Sequence, residues 1–271
     1  MRLRVWLIVV GLMVSALPAL AVNGHRPLPE YSGPEFQALY EFAVANTLPN
    51  LEPPNGRYEV TGNEELDSRI WQIAIDRGYE LRASASGDLV RADGVWMQPQ
   101  AAEAWQALKD EARSAGMRFI VSSAYRSPET QRQWFLSMLS GTSESEINAT
   151  LDWYSLPGTS KHHSGYALDF RYADDTFGGF RATPDYAWLS ADNFAIPKRH
   201  GFVPSYPDDG LSQGPRPEPW EFVWVGLDLI ECGLPQHSGS SIGGPASALV
   251  LEIERCPGGP APVALPLWLD H

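Results

Sequence analysis

The sequence predicts an α+β fold, a small antiparallel sheet with flanking helices. Three observations lead there. Residues 99–115 carry apolar side chains at helical spacing. Short β-branched or aromatic runs near 118–123, 166–170 and 221–225 read as strands. Helices and strands follow one another without regular β-α-β alternation, which argues against a parallel sheet.

In chain order, residues 22–62 are rich in Pro, Gly and Asn, with one helical stretch near Pro34–Ala45. They read as an extension packed loosely on the domain. Leu66, Ile70, Ile73 and Ala74 space a helix over 64–77. Tyr79–Leu81 and Leu89–Val90 are strand candidates around the turn Ser86-Gly87-Asp88. Pro99 opens the clearest helix, which carries Ala102, Trp105, Leu108 and Ala112 and stops at Gly116. Arg118–Ser123 is a strand. Pro128 sits at the first position of the next helix, with Gln131, Trp134, Phe135 and Met138 along it and Gly141-Thr142 closing it. Thr159–Arg171 runs from loop into a strand at Tyr166–Phe170. A helix is expected over Ala187–His200, then a short strand from Gly201 and a last core strand over Glu221–Val225. Pro235–Pro245 reads as loop, Ala248–Ile253 as a strand, and 257–271 as a Pro-rich tail.

The first residues, Met1-Arg2-Leu3-Arg4, precede an apolar run from Val5 to Leu17 and the small-x-small site Ala19-Leu20-Ala21. That pattern reads as a cleaved secretory signal over 1–21. The apolar core falls short of the roughly 20 residues a spanning helix needs. The expected organisation is therefore signal (1–21), extension (22–62), main domain (63–230) and a loop-rich C-terminal extension (231–271). The protein is expected to be exported to the periplasm or cell-wall space, without stable membrane insertion after signal cleavage. The formal net charge is −13, and residues 1–21 contain two arginines and no acids. So acidic a balance argues against nucleic acid and anionic lipid as partners. The two cysteines, Cys232 and Cys256, are expected to form one bridge in an oxidising compartment.

Chemistry concentrates in two places. His162 and Asp169 lie seven positions apart in Ser160-Lys161-His162-His163-Ser164-Gly165-Tyr166-Ala167-Leu168-Asp169. An imidazole and a carboxylate suit zinc if loop and strand bring them together; the alternative is a buried histidine and a solvated aspartate that never meet. Glu218 and Glu221 flank Trp220, so one carboxylate could act as base while the other ligates, or both could be exposed acids after a turn. Arg126 follows a strand, where a guanidinium can bind a carboxylate or stabilise an oxyanion, or simply form a surface ion pair.

Taken together, residues 95–226 resemble the VanY-type D-alanyl-D-alanine carboxypeptidases, zinc peptidases related to the VanX dipeptidases. The resemblance lies in Ser123-Ala124-Tyr125-Arg126-Ser127 with Gln131, in Ser160-x-His162-x-x-Gly165-x-Ala167-x-Asp169, and in Trp188-Leu189, Gly201-Phe202 and Ser205-Tyr206-Pro207. It ends in Glu218-Pro219-Trp220. It implies a DD-peptidase/hedgehog-like α+β domain and cleavage next to a D-amino acid in peptidoglycan stem peptides. It further implies His162 and Asp169 as zinc ligands, Glu218 as general base and Arg126 on the scissile carbonyl. Ser160, Gln131 and Tyr125 would then serve substrate binding.

One position departs. The family pattern is Glu-x-Trp-His, its histidine the third zinc ligand, and this chain has Glu221 there. Three readings follow. Glu221 ligates zinc or another divalent metal; or His163, His200 or His237 fills the gap; or the domain binds wall peptides without metal and without cutting them.

Overall fold

The computed structural model describes residues 27–172 and 177–234. The expected signal, the strand at Ala248–Ile253, Cys256 and hence the Cys232–Cys256 pairing lie outside the described residues.

The elements run α1 (Gly33–Asn46), β1 (Leu51–Glu52), α2 (Glu64–Asp76), β2 (Ser84–Ala85), β3 (Val90–Ala92), β4 (Val95–Met97), α3 (Pro99–Ser114) and β5 (Ile120–Ser123). There follow α4 (Pro128–Met138), α5 (Glu144–Leu151), a 3-10 turn (Lys161–Ser164), β6 (Ala167–Arg171) and α6 (Phe177–Phe180). The last are α7 (Pro184–Arg199), β7 (Phe202–Tyr206), β8 (Glu218–Trp224) and α8 (Leu227–Cys232). The fold is α+β. Its main sheet has the order β5-β6-β8-β7, and every neighbouring pair in it is antiparallel.

Side-chain alternation gives this sheet two faces. Leu168, Phe170 and Phe222 point into the larger apolar cluster, with Trp105 and Leu108 of α3. There the Phe170 ring stacks on Trp105 at 5.1 Å and on Phe222 at 5.3 Å. Asp169 and Glu221, one position along, face the other way. A second cluster joins Ile70, Trp71 and Ala74 of α2 to Phe135 of α4 and Ile147 and Leu151 of α5.

Three expectations need correction, and one helix has no counterpart among the expected elements. Tyr79–Leu81 is not a strand; pairing begins at Ser84, opposite Glu52. Helix α5 was not foreseen, although Ser143 and Glu146 form a capping box at its start. The helix expected at Ala187–His200 exists but is broken. Ala191 is extended, and Asp192, Asn193 and Phe194 take positive φ. Asn193 there accepts from the Tyr31 amide at 2.8 Å and donates to the Tyr31 carbonyl at 2.8 Å, tying the break to the N-terminal segment. Finally, α1 is not loosely packed. Phe36, Leu39, Tyr40 and Ala43 are buried in the larger cluster, and Phe36 meets Phe194 edge-on.

Candidate metal centre

Strand register builds the site. Asp169 on β6 pairs with Glu221 on β8 and, on its other side, with Ser123 on β5. The 3-10 turn just before β6 swings His162 over this row. Ser160 caps the turn by accepting from the His162 amide, and Gly165 ends it at φ 75°. A side chain at Gly165 would be strained at that φ and would crowd Leu89 and Gln98.

His162 Nε2 lies 3.2 Å from Asp169 Oδ1 and 3.2 Å from Glu221 Oε2. All three side chains are buried, and one ligand atom from each falls within 4.8 Å of the other two. The opposite ring nitrogen, Nδ1, sits 2.5 Å from the Ala124 carbonyl. A proton on Nδ1 donated to that carbonyl leaves the Nε2 lone pair aimed at two carboxylates. Three electron-rich atoms so close require a positive charge between or upon them. Asp169 Oδ1 makes the same point: it is buried and, among the described residues, has no hydrogen-bond partner. A divalent cation fits this donor set.

Without a cation, a proton on the imidazole supplies the charge. Burial alone would push the His162 imidazolium down, but the Asp169 carboxylate and then Glu221 outweigh it, raising its pKa to about 9. Burial would likewise raise the Glu221 carboxyl; His162 and the Ser205 hydroxyl hold it at about 2. Glu218, partly buried, behaves oppositely. Burial, followed by the charges of Glu221 and Asp169, raises its carboxyl well above the usual range. Two neighbouring carboxyl groups are thus pushed apart, one an anion and one a proton carrier.

Arg126 closes the other side. One guanidinium nitrogen lies 3.7 Å from Asp169 Oδ2. The group donates to Gln131 Oε1 at 2.8 Å and to Ser123 Oγ at 3.1 Å, and stacks over Trp134 at 4.1 Å.

The VanY D-alanyl-D-alanine carboxypeptidase family model matches residues 94–227, the stretch that holds all of these groups. Those residues form a VanY-family domain. The chain is 29% identical over 188 residues to a D-alanyl-D-alanine carboxypeptidase of Enterococcus faecalis, covering 65% of this chain and 67% of that one. It is also 29% identical over 142 residues to the bifunctional D-Ala-D-Ala dipeptidase and D-Ala-D-Ala carboxypeptidase VanXYC of Enterococcus gallinarum, covering 49% and 69%. Among solved structures it matches a mutant of the vancomycin-resistance D,D-pentapeptidase VanY from a VanB-type cassette in complex with Zn(II). That match is 26% identical with a TM-score of 0.45, over 56% of this chain and 83% of the other.

Within the VanY-type domain, His163 and His200, two of the three possible substitutes for the third ligand, are placed elsewhere. His163 Nε2 accepts from the Gly158 amide at 2.9 Å and its Nδ1 meets the Arg126 carbonyl at 2.7 Å, so backbone groups engage both ring nitrogens. His200 pairs with Glu111 at 2.6 Å. His237 lies outside the described residues. Among the described residues, Glu221 alone stands beside His162 and Asp169 as the third group.

The residues expected at substrate are placed as follows. Both ends of the Gln131 amide are engaged, Oε1 by Arg126 and Nε2 by the Ser155 carbonyl at 2.6 Å, so Gln131 orients Arg126. Ser160 is buried and caps the histidine turn. Tyr125 is partly buried, its amide donating to the Trp96 carbonyl at 2.7 Å. Sequence reasoning missed Lys161. Its ammonium is buried between the Tyr40 and Tyr206 rings, 4.6 and 4.2 Å from their centroids. Burial pulls its pKa down to about 7. Nothing local signals this, because Tyr40 comes from α1, far away in sequence.

Proposed function

We propose that this chain is a metal-dependent peptidase that removes a terminal D-amino acid from peptidoglycan stem peptides outside the cytoplasmic membrane. The observation that carries the reading is the convergence of His162, Asp169 and Glu221 on one buried point, with Glu218 against Glu221 and Arg126 against Asp169. The names of the enterococcal relatives support the substrate class.

His162, Asp169 and Glu221 would hold zinc or a related divalent ion, which supplies Lewis-acid polarisation of the scissile carbonyl and a more acidic water. Glu218 takes a proton from the attacking water and returns it to the leaving amine; its raised pKa suits a group that must hold a proton between those steps. Arg126, fixed by Gln131, Ser123 and Trp134, holds the negative charge that develops on the carbonyl oxygen. On this reading Tyr125 contributes to substrate binding, Ser160 acts there by holding the histidine turn, and Gln131 acts through Arg126.

Incubation of the mature protein with a stem pentapeptide ending in D-Ala-D-Ala, with and without chelator, tests this. Mass spectrometry should show loss of one alanine, abolished by chelator and restored by zinc. Binding of the peptide without cleavage under any divalent ion would sink the peptidase reading.

A further inference from the structure

Glu221 differs from a histidine ligand in having two oxygens, and the structure treats them differently. Oε2 faces His162 Nε2 at 3.2 Å. Oε1 accepts a hydrogen bond from Ser205 Oγ at 2.6 Å. Ser205 lies on β7 where the register with β8 breaks, between the pairs Pro204–Phe222 and Tyr206–Glu218. The break leaves the Ser205 carbonyl to accept from the buried Lys161 Nζ at 2.7 Å. Ser205 is therefore held at its backbone by one buried side chain while its hydroxyl holds another.

We propose that Ser205 is the positioning residue that presents Glu221 to the cation through a single oxygen, with Lys161 fixing Ser205 in place. The inference rests on the metal-centre reading above. A carboxylate free to turn about its last bond can offer both oxygens to a metal. A short hydrogen bond from a buried hydroxyl to a charged oxygen is strong enough to stop that rotation. It also draws electron density from the carboxylate, which moderates the second anionic ligand. Glu221 then imitates the one-atom donation of the histidine it replaces.

The test is zinc affinity by chelator competition, and the visible spectrum of the cobalt-loaded protein, on the full mature chain. Ser205→Ala should weaken zinc binding about 10- to 100-fold, the usual cost of losing a group that orients a ligand. It should also alter the cobalt spectrum as a second oxygen enters the coordination sphere. In a Glu221→Ala background the same change should alter affinity less than about threefold, because the two residues act as one unit. Ser205→Thr, which keeps the hydroxyl, should restore affinity. If Ser205→Ala fails to fold, as judged by circular dichroism, Ser205→Cys with its weaker donor takes its place in the same cycle. Equal loss in both backgrounds, or an unchanged affinity and spectrum, overturns the role of Ser205 and leaves the metal centre standing. Failure of the wild type to bind zinc or cobalt overturns the metal centre itself, and this inference with it.

Discussion

The two faces of the four-stranded sheet are equally closed to solvent and opposite in chemistry. Phe170 and Phe222 are 0% and 1% exposed; their strand neighbours Asp169 and Glu221 are 4% and 3% exposed. One residue of shift along a strand exchanges an aromatic stack for a buried carboxylate. The apolar face gains stability from removal of carbon from water. The acidic face is costly to bury unless each charge is matched, and here His162, Arg126 and Ser205 do the matching. A sheet that carries both must hold its register, since a slip would place acids in the core.

This contrast predicts that changes on one face leave the readout of the other intact. The largest effect belongs to Glu218→Ala. Turnover should fall by about 10²–10⁴, the usual worth of a general acid–base, with metal content by elemental analysis unchanged. Wild-type turnover in that variant would remove Glu218 from the chemistry. On the other face, Phe170→Ala should cost about 3–5 kcal/mol in denaturant unfolding. It should leave about one metal per chain; loss of metal along with stability would mean the faces are not independent. Glu221→Ala should weaken metal binding, leaving a lower affinity that chelator competition still reads, with a smaller change in folding, and Glu221→His should retain the metal with a stronger preference for zinc over manganese. Comparable manganese retention in both proteins would argue that the carboxylate does not set selectivity.

The smallest expected effect is a pH dependence of the metal-free protein. His162 has its folded pKa raised from 6.5 to about 9, so its contribution to stability is complete below about 6.5. That contribution is lost as pH rises through about 9. Melting of chelated protein at pH 6, 7.5 and 9.5 should show a declining midpoint, and saturating zinc should flatten the decline. A flat profile without metal would mean that His162 does not carry the compensating charge.

The site was largely legible because its parts lie in short stretches with distinctive types: a histidine seven residues before an aspartate, and two glutamates about a tryptophan. Their convergence depends on the pairing of β6 with β8, and the strand-like runs at both places marked the strands but not their adjacency. The supports were harder to read. Lys161 looks like a surface lysine until Tyr40 and Tyr206 close around it, and Gln131 looks like a substrate contact until Ser155 claims its amide. Such roles depend on partners dozens of residues away. The broken helix α7 was hidden for the same reason: its local spacing is helical, and the break is held by Asn193 against Tyr31.

Helix α1 lies well ahead of the segment that defines the VanY-type domain, yet four of its side chains are built into the main core. For anyone cutting the gene, this makes residue 94 a poor place for the scissors. A fragment begun there would lack the Tyr40 ring against Lys161 and would bare the hydrophobic seat of Phe36 and Leu39. Inclusion bodies, rather than a smaller enzyme, are the expected yield.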